Sequence, residues 1–260
     1  MIKKCLPLFF CLMVFHLSFS QQLKKSLTVF ANPMLSNRFI TFKDNVTQQF
    51  KDSINKADIN RKSLSAGCYL NFDINKYSKF SVGIHFLNIG FTRKKSNLKF
   101  LDTIHPEIGI VADISQIGDK YVLFNYRYQH ISLPFLYHTQ FRIKKFKSSK
   151  IYYSVGGSLS YLLNHDIKAK LYGFSAYGKK EFILENAKEE PSRINLNVQT
   201  GIRFENMIYP NKTWIFVQPT VYFPLLTANY GQERHHLYAY GLEIGLHYLL
   251  DAKEFKEEQK

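Results

Sequence analysis

The chain is poor in the features that staple, anchor or arm most proteins. It has 3 cysteines and 1 tryptophan in 260 residues. Cys5 and Cys11 lie in the first eleven positions, so Cys68 stands alone in the remainder and no internal disulfide is available to it. Beyond the N-terminus no run of eighteen apolar residues occurs, which excludes a helical membrane protein. No Pro/Gly-rich linker interrupts the sequence, so one domain is expected. Phosphate loops, nucleotide fingerprints and convincing nucleophile–base pairs are missing too, and no cofactor or metal is expected. Acidic residues are the scarcer charge, 20 against 35 Lys and Arg, giving a formal net charge of +15 and a pI of about 9.6. These cations are spread between strand-like runs without any DNA- or RNA-binding motif, so no nucleic-acid partner is expected. They read as solvated loops and turns, facing an anionic lipid surface.

Aromatics and a leader are what the chain does have. Met1-Ile2-Lys3-Lys4 is followed by an apolar run too short to span a membrane comfortably, then by Ser18-Phe19-Ser20 with small residues where a signal peptidase reads. Residues 1–20 are therefore expected to be a cleaved signal peptide, leaving a barrel domain at 21–250 and a charged tail at 251–260. Loss of Lys3 and Lys4 takes the net charge from +15 to +13. The 17 Tyr and 23 Phe favour strands.

The stretch from Ile194 to Phe204, INLNVQTGIRF, alternates in polarity with the period of two that a strand imposes. Seven further runs behave similarly, so strands are expected over 23–31, 64–74, 80–93, 126–143, 151–163, 193–205, 214–227 and 236–250. Eight is an even number, and most are longer than strands of soluble proteins. The connections alternate too: 75–79, 144–150 and 206–213 are short, whereas 32–63, 94–125 and 164–192 are long and polar. That rhythm predicts an all-β, eight-stranded antiparallel up-and-down transmembrane β-barrel with short periplasmic turns and long extracellular loops. The competing reading is an exported soluble sandwich. In the barrel, Ile194, Leu196, Val198, Ile202 and Phe204 face lipid, and the Asn, Gln and Arg face turns inward. Two features disturb the pattern. After Phe86 the apolar positions change parity, which calls for a bulge or for emergence from the bilayer. Pro134, Pro219 and Pro224 fall within strands, where bulges or rim positions are expected.

Charged and imidazole side chains fall on the predicted inner faces. Asp73, His130, Arg142, Arg193, Arg203, Glu205, Glu243 and His247 are expected to form a structural polar network there, because buried charge must be paired or solvated. His130-Ile131-Ser132 resembles the His-x-Ser of outer-membrane lipid A deacylases. Leu133-Pro134 follows it, however, and the register turns His130 and Ser132 inward with His138 and Gln140, away from lipid. His235-His236 near Glu233, and His165-Asp166, lack the spacing of a strong metal site. Eight strands are too few for an open aqueous pore.

YRYQHISLPFLYHTQF followed by IYYSVGGSLSYLL resembles a strand pair of the PorT-like outer-membrane β-barrel proteins. TWIFVQPTVYFPLL and LYAYGLEIGLHYLL resemble that family's last two strands. The resemblance implies outer-membrane location and a monomeric barrel, and it carries no defined catalytic or binding residues. The functional expectation is a non-enzymatic outer-membrane barrel acting by ligand or partner binding through its extracellular loops. The alternatives are an accessory part of a protein secretion or transport apparatus, contacting partners through turns and tail, and a lipid-modifying enzyme. Expected partners are outer-membrane lipid and proteins at the loops or turns.

Overall fold

The computed structural model describes residues 24–42, 57–96, 104–105, 109–110, 121–141, 149–172, 181–183, 191–210, 212–230 and 233–250. The expected signal segment, the tail and Arg142 lie outside these residues. Eight long strands dominate: β1 Lys25–Phe42, β2 Arg61–Asn75, β3 Ser78–Ser96, β4 Tyr121–Gln140, β5 Ser149–Tyr172, β6 Ile194–Tyr209, β7 Thr213–Pro224 and β8 Glu233–Leu249. Every neighbouring pair is antiparallel and consecutive in the chain, and β1 pairs with β8 to close the ring. The chain is an eight-stranded up-and-down β-barrel. Closure leaves no unpaired edge, which is what a strand needs to sit in hydrocarbon.

Around the lower part of the barrel, toward the short turns, aliphatic and aromatic side chains point outward. Val29, Cys68, Ile84, Leu133 and Leu159 form one cross-section of this belt, and all are exposed from the protein. Along β8 the belt runs from Tyr238 to Tyr248, and Tyr137, Tyr153, Tyr161 and Tyr240 add aromatics to it. Ten residues at about 3.3 Å each, tilted by about 40°, give a height of about 25 Å, the apolar band of a membrane barrel.

Beyond the belt, toward the long loops, the polarity inverts. On β3 the inner face reads Lys79, Ser81, His85 and then Leu87, Ile89, Phe91, all buried. Its outer face passes from Val82, Ile84 and Phe86 to Asn88, Thr92 and Lys94. The register of β3 on β4 does not shift across this change. No bulge is present at Phe86; the strand leaves the apolar belt and continues as the wall of a water-facing barrel. This is the second of the two explanations for the parity change. Strands β3, β4 and β5 rise furthest, with Ser96, Tyr121 and Tyr172 forming their top row. The short strand Glu181–Ile183 pairs alongside β5, and Asp58–Ile59 pairs with β3.

The strands are consequently longer than expected. Segments 32–42, 121–125 and 164–172, read as loops, are strand. The prolines also behave differently from expectation. Pro134 stays in the ladder with Ser158 of β5, and Pro219 in the ladder with Leu242 of β8. The register is the same above and below each, so neither sits at a bulge. The reason is geometric. A strand residue directs both its N–H and its C=O to one neighbour, so proline costs bonds on one side only. Pro224 does end β7, at the rim. Register shifts occur instead at Asp73/Asn75, Gln129/His130 and Met207/Tyr209.

Candidate functional site: a filled interior and a polar-faced extension

The interior is packed in layers, each supplied by inward positions of several strands. Nearest the short turns, Glu205 of β6 is the hub. Lys79 Nζ donates to its Oε1 at 2.7 Å, Arg203 Nη1 lies 3.4 Å away, and His247 Nδ1 lies 3.2 Å away. Lys79 is 2% exposed and Arg203 and Glu205 are 0% and 2% exposed, so this is a charge cluster sealed from solvent. Aromatic faces complete it, with Lys79 Nζ 4.0 Å above the Tyr152 ring and Arg203 Cζ 3.9 Å above Phe216. Arg203 Nε donates to Gln218 Oε1 at 2.9 Å. Beside it, the His138 ring bridges the hydroxyls of Ser81 and Ser154. Ser81 in turn donates to Asn71 Oδ1 at 2.6 Å.

Glu243 organises the next layer. Gln199 Nε2 donates to its Oε1 at 2.8 Å, and the Tyr222 hydroxyl donates to the same oxygen at 2.9 Å. Asn32 Nδ2 reaches Tyr222 Oη and Thr220 Oγ1, both at 3.3 Å. Tyr69 lies flat against Phe30, ring centroids 4.7 Å apart, and crosses Gly83, where a Cβ would stand 2.8 Å from its ring. That small position is what admits a tyrosine into so narrow a barrel.

Above the polar layers comes an apolar plug. Met34, Leu87, Ile89, Phe91, Tyr128, Leu237 and Ala239 pack as one buried cluster with Tyr222 and Ala228. Full burial of a Leu, Ile or Phe side chain contributes about 1.5–3 kcal/mol, so the plug stabilises the extension as a soluble-type core. An ionic cap closes it. Arg38 Nε donates to Asp58 Oδ2 at 2.9 Å and Arg93 Nε to Asp58 Oδ1 at 3.2 Å. Arg38 also contacts His235 and lies 3.7 Å over the Phe91 ring. Asp58 belongs to the short strand outside the belt. Burial pushes its carboxyl up from the usual range, and the hydrogen bond and charge of Arg38 oppose that rise.

The expected network residues are placed as follows. Arg203, Glu205, Glu243 and His247 are buried in the two polar layers, and His130 is buried higher up beside Tyr128, ring centroids 6.5 Å apart. Asp73 is half-buried at the short-turn mouth. Arg193 is not an interior residue: it is exposed, at a bend before β6 begins, because the strand starts one residue later than expected. Ser132 is turned inward and shares its hydroxyl with Ser160 at 2.7 Å, so the His-x-Ser pair faces the barrel interior. Among the described residues no group of three or more His, Cys, Asp or Glu is arranged to hold a metal ion. Lys79, Gln199 and Gln218 were hidden from sequence reasoning, the first as a turn cation and the others as neutral lining. Arg38 and Asp58 fell in a segment read as loop.

On the outside of the extension, β3, β4 and β5 present straight cross-strand rows. From the belt upward these are Asn88–Gln129–Asn164, Gly90–Arg127–Asp166, Thr92–Asn125–Lys168, Lys94–Leu123–Lys170 and Ser96–Tyr121–Tyr172. Arg127 Nε donates to Asp166 Oδ1 at 2.8 Å. Arg61 reaches over from β2, its Nε donating to Asn125 Oδ1 at 2.9 Å and its Nη1 to Asn88 Oδ1 at 3.2 Å.

No family model matches the chain, and no curated protein matches it. Solved structures do. The Yersinia pestis attachment invasion locus protein Ail, in complex with a heparin analogue, is 10% identical with a TM-score of 0.34, covering 86% of this chain and 99% of its own. Neisserial surface protein A is 12% identical at a TM-score of 0.40, covering 86% and 97%. The Pseudomonas aeruginosa outer membrane protein OprG is 7% identical at a TM-score of 0.42, covering 88% and 97%. The barrel class itself stands on the closed ring of eight strands described above.

Proposed function

We propose that the chain is an integral outer-membrane barrel of non-enzymatic type that binds a ligand or partner outside the cell, through its extended strands and long loops. The observation that carries this reading is the division of the molecule into two zones. The interior is filled by paired charges within the belt and by an apolar plug above it, which favours anchoring over conduction. Above the belt, strands β3, β4 and β5 continue as a rigid wall whose outer face is polar and open. Binding surfaces are commonly carried on such projections from a rigid scaffold. The inward orientation of His130 and Ser132 argues against lipid chemistry at that pair. The strand motifs over 126–163 support kinship with PorT-like barrels, and the leader-like residues 1–20 support export. A periplasmic position for the short turns follows from the usual layout of such barrels.

The test has two parts. The protein should fractionate with outer membranes and migrate differently on detergent gels with and without boiling. Purified and inserted into planar bilayers, it should show no steady conductance. A soluble periplasmic fraction, or a stable ion-conducting state, would count against the reading.

A further inference from the structure

We propose that the outer face of the extension, built on Lys94, Leu123, Lys168, Lys170, Tyr121 and Tyr172, is a binding surface for an anionic glycan. The inference rests on the preceding reading that this end of the barrel is extracellular, and it adds the chemistry of the ligand.

Three observations support it. The first is charge. The top three rows on β3, β4 and β5 contain Lys168, Lys94 and Lys170 and no acidic residue. Glu181 stands opposite Lys170 on the short strand alongside β5, so the three lysines outnumber it, and Asp166, one row further down, is bonded to Arg127. Lys94 and Lys170 flank Leu123 on adjacent strands, roughly 10 Å apart across the sheet.

The second is preorganisation. Tyr121 and Tyr172 stack with centroids 4.8 Å apart and planes 12° from parallel. Lys94 Nζ lies 4.3 Å from the Tyr121 centroid, and Lys170 Nζ lies 5.7 Å from that of Tyr172. Two lysines are thus held in place by two rings, which lowers the entropy lost when they bind an anion. The rings also offer amphipathic surface and two hydroxyls, suited to sugar rings rather than to a bare ion.

The third is height. On β4, Ile131 is the last outward aliphatic of the belt and Tyr121 lies ten residues above it. At about 3.3 Å per residue and a tilt of about 40°, the stack stands about 25 Å above the belt. Headgroup regions extend only about 5–8 Å beyond the hydrocarbon. Phospholipid phosphates therefore lie well below this surface, and an extended polymer reaches it.

The experiment uses the full barrel in nanodiscs of zwitterionic lipid, with immobilised heparin oligosaccharide as the sulfated probe, and uncharged dextran and polyglutamate as comparators. The heparin probe should bind and dextran should not, with affinity falling as salt rises from about 50 to about 200 mM. K94Q/K170Q should weaken binding about tenfold, and Y121L/Y172L should weaken it with every charge retained. K212Q, at the opposite rim, should leave it unchanged. Absence of heparin binding, or binding indifferent to K94Q/K170Q, overturns the proposal. Equal binding of polyglutamate also overturns it, in favour of an acidic protein partner. Labelling of T92C on intact cells reads the sidedness separately: labelled protein that fails to bind defeats the glycan proposal alone, whereas an unlabelled T92C defeats the extracellular reading beneath it.

Discussion

Glu205 shows how much depends on single side chains in this barrel. It is the shared acceptor for Lys79, Arg203 and His247 in a sealed layer. Glu205→Gln would leave Lys79 and Arg203 buried without their counter-charge, and removing one partner of a buried pair typically costs about 3–5 kcal/mol. Glu243→Gln is the informative control. Its Oε1 accepts from a neutral amide and a neutral hydroxyl, and an amide oxygen can still accept from Tyr222, so the loss should be nearer 1 kcal/mol, roughly one hydrogen bond. Urea titration of the barrel in lipid vesicles would separate the two, and equal losses would contradict the charge-hub assignment. The opposite faces of one strand give a second comparison. Val198 points into the belt, so Val198→Lys should destabilise by about 2–4 kcal/mol near the midplane. Gln199→Lys should be milder, because its ammonium can reach the Glu243 carboxylate that the Gln199 amide already contacts.

At the scale of the element, a strand here carries two environments in one unbroken register. Strand β3 is a membrane strand below Phe86 and the wall of a soluble core above it. Thr92→Lys, on the outer face of the upper part, should therefore change stability by less than about 0.5 kcal/mol. Ile89→Ala, which hollows the plug, should cost about 2–5 kcal/mol. The same vesicle unfolding measurement checks both, and a large effect of Thr92→Lys would mean that the belt extends higher than its outer residues indicate. This inversion also explains which parts of the fold were legible in the sequence. Within the belt the period-two alternation is clean, so all eight strands and their inward faces could be read from runs such as Ile194–Phe204. Where the strand leaves lipid, both faces become mixed: Ser36 and Arg38 point inward on β1 beside Met34, and the alternation fades. Segment 32–42 therefore read as loop. The site was legible only in part for a related reason. A charge on an inner face can be seen in one strand, but its partner is set by register across the barrel. Lys79 and Glu205 are 126 positions apart, and nothing local announces their contact. Arg193 failed for the converse reason, since a one-residue error at a strand start moves a side chain from interior to rim.

For the whole molecule, the question is where the bilayer sits, and one natural residue can answer it. Cys68 is the one cysteine among the described residues; it is unpaired and exposed from the protein. Its cross-section neighbours, Val29 and Ile84, are 53% exposed each. In a soluble protein such a thiol would react freely with charged reagents. In the barrel read here it lies in the middle of a belt about 25 Å tall, roughly 12 Å from either interface, where a charged reagent does not penetrate. A membrane-impermeant, charged maleimide should therefore leave Cys68 unmodified in vesicles and modify it once the protein is unfolded in denaturant. A Cys68→Ser/Thr92→Cys protein should show the reverse, with rapid modification of the folded form, because position 92 is outward-facing above the belt. Because the same strand network holds both positions, the difference between the two thiols reports depth rather than folding. Rapid modification of Cys68 in intact vesicles would place that cross-section in water, and with it the lower barrel, its charge hub and the whole division into a buried anchor and an exposed extension.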